Sequence, residues 1–255
     1  MPSSRRADAH ELPPSAPSGW GRHAAVAALG VVLSLLFWRS RMEWDPEMRL
    51  WKATGDASFA LLALAMLVGP LAVLWARAKR LLAWRRALGV WSALLALVHA
   101  YLVWDGWARW SFQRLLGYED LRGAGVPEPV LTMPGFGLAN LMGLVALVLV
   151  LLLAAVSSER ALHALGPRAW KHLQQYAYVV FYLVGLHTAY FLFLHYELSL
   201  LQLALGKALT PPNWFRAWFV LLVVAVLALQ AAAFLRLASR RRDANGPPEG
   251  SPRAR

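Results

Sequence analysis

Six apolar stretches, each about twenty residues long, constrain this chain more than any other feature. They cover 19–38, 57–76, 87–104, 136–156, 173–196 and 214–235. A hydrocarbon core of roughly 30 Å takes about 20 helical residues to cross, and helices satisfy their backbone polar groups without water. The chain therefore reads as all-α: a polytopic membrane bundle of six transmembrane helices. Its hydrophobic content of 58% exceeds the roughly 45–50% of soluble chains. Gly69-Pro70 is expected to bend or locally break the second stretch. The first opens on Arg22 and His23, which must snorkel. It is followed by Trp38-Arg39-Ser40-Arg41 where a cleaved signal peptide would carry small residues, so it reads as an uncleaved anchor.

Charge placement predicts orientation. The N-terminal segment through Arg22, the 77–86 and 158–171 loops and the tail from Arg236 hold 17 basic and 5 acidic residues. The opposite connections, 39–56, 105–135 and 197–216, hold 9 of each, so the entire net charge of +12 falls on one side. By the positive-inside rule that side is cytoplasmic, with both termini there. The basic surface faces anionic lipid of the bilayer, and no nucleic-acid partner is implied.

Residues 1–18 are expected to form a disordered cytoplasmic N-tail, 19–237 the bundle, and 238–255 a disordered basic C-tail. No internal repeat is evident. No G-x-G-x-x-G follows a strand pattern, so no soluble flavin or nicotinamide domain is expected within these residues. The chain has no cysteine, which removes disulfides, iron–sulfur ligation and thiolate-ligated heme. The long 105–135 connection carries Trp107, Trp110, Phe112 and Tyr118. It suits an interfacial segment or docking surface, or simply the aromatic belt that flanks spans.

Two histidines lie deep within spans. His99 follows Arg85 by 14 residues, about 21 Å at 1.5 Å per residue. His187 follows the start of its span, at 170–173, by 14–17 residues. Both spans run outward, so both rings stand in the outer half of the bilayer. A single intramembrane histidine most often serves a helix–helix hydrogen bond. Two at one depth on facing helices suggest a shared ligand, and for imidazole nitrogens that ligand is an iron porphyrin. His195, at the outer end of the fifth span, reads as an interfacial residue. His10, His23 and His163 are tail or loop residues.

The residues around these positions resemble a known family. The run Arg85-Arg86-Ala87-Leu88-Gly89-Val90-Trp91, followed by His99-Ala100-Tyr101, is similar to the third helix of ferric-reductase-like transmembrane domains. Thr54-Gly55, Gly69-Pro70-Leu71, Ser157-Ser158 and Leu165-Gly166…Trp170…Tyr178…His187 extend the likeness over about residues 50–195. It is strongest to the heme b membrane subunits of the periplasmic methionine sulfoxide reductase system. The resemblance implies a heme b-binding electron-transfer subunit of an oxidoreductase system in the bacterial inner membrane. Electrons would come from a quinol or a cytoplasmic flavin reductase and pass to a periplasmic reductase or another extracytoplasmic acceptor. It implies His99 and His187 as iron ligands, and Arg85 as a contact for a heme propionate or a quinone. The family usually places a further histidine where Gln174 stands, in Trp170-Lys171-His172-Leu173-Gln174. One heme is therefore expected, and His172 is the residue that could supply a second; at 100° per residue it lies about 60° from the face of His187. The competing class is a heme-free scaffold or transporter-like protein of the same fold.

Overall fold

A single helix forms the axis of the bundle. In the computed structural model, which describes residues 19–195, 206 and 213–244, α2 (Pro46–Leu74) is largely buried, while the other apolar helices turn most of their surface outward. It packs on α1 (Gly19–Arg39), α3 (Arg85–Leu102), α7 (Ala177–Phe193) and α8 (Phe215–Ala244). Buried Ala53, Ala57, Ala60 and Ala63 along α2 let its neighbours approach closely. Phe59 then fills the centre, stacked on Phe181 at 5.9 Å and tilted against Phe219 at 5.0 Å. Ser58 and Ser92 staple α2 to α3, each hydroxyl donating to the other's carbonyl at 2.9 Å.

Among the described residues, six segments are long and apolar enough to span a membrane: α1, α2, Ala76–Trp107 around α3, α5 (Pro134–Ala155), Glu159–Phe193 and the α8 segment. The all-α polytopic bundle is thus as predicted. The start of α2 is not. It lies eleven residues before position 57, because Asp45 caps the helix through the Glu47 and Met48 N–H groups and Pro46 occupies the first turn. Gly69-Pro70 does not interrupt α2, which runs to Leu74.

The fifth span also differs from its prediction. An amphipathic α6 (Glu159–Gln174) precedes it, kinked at Gly166, whose φ of 75° is left-handed, and followed by Pro167. A turn at Gln175 and Tyr176 then separates α6 from α7. Arg86 joins α3 to α6 by an ion pair with Glu159 at 2.8 Å. At the same basic end, α8 continues to Ala244, past the predicted end at 235, and Arg236 donates to the Leu74 carbonyl. The predicted tail 1–18 and residues 245–255 lie outside the described residues.

At the opposite end, Val103–Trp107 forms a π-helical turn and α4 (Phe112–Leu115) follows. Beyond it, β1 (Tyr118–Glu119) pairs antiparallel with β2 (Val130–Leu131). This connection folds onto α5, where Asn140 Nδ2 donates to the Leu115 carbonyl at 2.8 Å. The 105–135 segment is therefore a cap packed on the bundle, with Trp110 and Phe112 left exposed.

Candidate functional site

The cap and helices α2, α3, α5 and α7 line a cavity of about 490 Å³. His99 from α3 and His187 from α7 both line it, with ring centroids 6.5 Å apart and planes at 76°. The predicted pair is brought together. Each ring is held in the same way. His99 Nδ1 lies 2.7 Å from the Trp51 carbonyl, and His187 Nδ1 lies 2.8 Å from the Ala139 carbonyl. A carbonyl only accepts, so each Nδ1 carries the proton and each Nε2 keeps its lone pair for a ligand.

A glycine backs each ring. A Cβ at Gly55 would stand 3.0 Å from the His99 ring, and one at Gly143 would stand 2.8 Å from His187. Acceptor, glycine and histidine recur at a constant offset of 88 residues: 51 to 139, 55 to 143, 99 to 187. The bundle therefore holds an internal repeat that the sequence reading did not find. The reason is physical: the first member acts through its backbone, so a tryptophan and an alanine fill equivalent places.

Trp107 of the cap, Phe136 of α5 and Phe191 of α7 make an aromatic rim. Phe191 stands 5.1 Å from His187, 5.4 Å from Phe136 and 5.3 Å from His195, and Trp107 stands 4.4 Å from Phe136. His195, read from sequence as interfacial, lines the cavity.

Charged side chains line the cavity as well. Lys52 and Asp56, one turn apart on α2, both line it. Asp56 is paired with buried Arg41, which also donates to Asn213 Oδ1 at 3.0 Å. The Lys52 ammonium lies 4.7 Å over the Phe191 ring. Among the described residues, no group of three or more His, Cys, Asp or Glu is gathered that could hold a metal ion.

The family model described as the ferric reductase like transmembrane component matches residues 54–185, just over half of the chain. The chain belongs to this family. No curated protein matches it. For a ferric-reductase-like transmembrane component, a role in electron transfer within the membrane follows. The matched region takes in Gly55, His99 and Gly143 and stops two residues before His187.

Two further predicted residues lie outside the cavity. Arg85 begins α3 near Gly69 at the basic end and does not line it. His172 is an exposed residue of α6, edge-on to Tyr176 at 6.1 Å. The estimate that set it about 60° from His187 assumed one continuous helix, and the turn at Gln175 and Tyr176 breaks that register. Gln174 has a buried side-chain nitrogen without a hydrogen-bond partner and is also outside the cavity. Sequence reading missed Lys52, Asp56, Gly55 and Gly143. The two charged residues looked like loop, and the signal for the glycines was the 88-residue offset.

Proposed function

We propose that this ferric-reductase-like component is a heme b-binding electron-transfer protein, with His99 and His187 as the two axial ligands of a single heme. The carrying observation is the histidine pair itself. Metal–imidazole bonds of about 2.0–2.1 Å on both sides of one ion set ring centroids about 6.3 Å apart, and these stand at 6.5 Å. The cavity's 490 Å³ falls within the roughly 300–1,000 Å³ of cofactor sites. Bound there, heme b supplies a centre that accepts and gives one electron at a time.

The chain's own residues do the rest. The Trp51 and Ala139 carbonyls fix the tautomers and raise the basicity of both Nε2 atoms. Apolar side chains such as Val150, Leu147 and Val184 keep water away. The aromatic rim lies between the histidines and the exposed face of the cap. With the basic loops cytoplasmic, both termini are inside and the cavity lies in the outer half of the bilayer. A quinol or cytoplasmic flavin reductase is then the donor, and a periplasmic reductase or other extracytoplasmic protein the acceptor. The sequence likeness to heme b subunits of the methionine sulfoxide reductase system supports this direction and a bacterial inner membrane setting.

The test is optical. Purified protein in detergent should give a low-spin, reduced-minus-oxidised b-type spectrum. His99→Ala and His187→Ala should each abolish it, while His163→Ala on exposed α6 should leave it intact. A normal spectrum in either ligand variant would overturn the pairing.

A further inference from the structure

We propose that Lys52 binds a carboxylate of the ligand in this cavity, so that the ligand enters with its acid groups toward the capped end. The inference rests on the heme reading above and extends it to the other functional group of a porphyrin. Lys52 stands at the junction of both histidine supports. Trp51, which holds His99, is its chain neighbour, and Phe191, beneath its ammonium, packs on His187. Among the described residues it is the cation that lines the cavity; Arg41 lies behind, against Asp56 and Asn213.

Charge gives the second argument. Among the described residues, Arg41, Lys52 and Arg216 bring positive charge to this region and Asp56 negative charge. A net positive charge in a low-dielectric setting is costly unless an anion offsets it. A ligand carboxylate beside Lys52 lowers that cost. Arg85, which the family resemblance suggested for this role, begins α3 at the basic end and does not line the cavity.

The experiment compares protoheme with its dimethyl ester, in which both carboxylates are blocked, by titrating each into heme-depleted full-length protein in detergent. The readouts are affinity and the low-spin spectrum. Hydrogen bonds to charged groups are worth about 1.5–3 kcal/mol, so the unmodified protein should prefer protoheme at least about tenfold. Lys52→Met should bind both porphyrins alike, and Lys52→Arg should keep the preference. Equal affinity of the unmodified protein for the two porphyrins would overturn the role of Lys52 while leaving the heme reading standing. A preference that survives in Lys52→Met would overturn it as well. Binding of neither porphyrin would overturn the heme reading, and this inference with it.

Discussion

Gly55 and Gly143 set how closely each imidazole approaches the neighbouring helix, and the two differ in how much room they leave. A methyl at Gly143 would meet ring atoms of His187 at 2.8 Å, closer than side-chain carbons are found, whereas Gly55 leaves 3.0 Å to His99. Gly143→Ala should therefore displace His187 and lower heme retention, shifting the spectrum toward high spin. Gly55→Ala should have the same effect to a smaller degree. The check is the low-spin fraction per protein in each variant; equal, unperturbed spectra would show that the rings do not depend on these walls. The histidines themselves were legible in the sequence because a titratable ring in an apolar run has few inexpensive explanations. Their glycines were not, since a glycine signals a close approach only when its neighbour across the helix pair is known.

The spans were legible from length and hydropathy, and where the predicted start of α2 failed, buried charge was the cause. Arg49, Lys52 and Asp56 made the first turns of α2 look like loop, yet they sit inside the protein, with Arg49 over the Trp38 ring at 4.6 Å. Arg41, two residues past the end of α1, is tied to α2 through Asp56 and to the segment leading into α8 through Asn213. Removing one member of a buried pair strands the other charge. Arg41→Met should thus destabilise the folded protein by about 3–5 kcal/mol, read as a lower thermal midpoint in detergent. Arg41→Met with Asp56→Asn should recover much of that loss. If the single variant melts as the unmodified protein does, Arg41 is not what ties these helices together. The break between α6 and α7 escaped the sequence for another reason. The helical wheel assumes one axis, and Gln175-Tyr176 carries no Gly or Pro to mark the turn.

The repeat at 88 residues organises the whole molecule around one cavity with two equivalent walls, α2–α3 and α5–α7. A cavity built this way presents one pair of imidazoles, and the other candidates lie elsewhere: His172 is exposed on α6, and Arg85 opens α3 at the basic end. The purified protein should carry one heme per chain, and His172→Ala should not change that ratio. A ratio near two that falls to one on losing His172 would require a second centre outside this cavity. Orientation follows from charge on the same scale. In the sequence, the entire net charge of +12 belongs to the loops and tails of one side, and basic residues are retained on the cytoplasmic side during insertion. On the proposed orientation, the cavity, the aromatic rim and the exposed Trp110 and Phe112 face outward, the side that the proposed extracytoplasmic acceptor must reach. A reporter fused after Arg255 should be active only in its cytoplasmic form, and one inserted in the 120–128 connection only in its extracytoplasmic form. The opposite pattern would turn the bundle over, place the cavity in the inner half of the bilayer, and reverse the assignment of donor and acceptor sides.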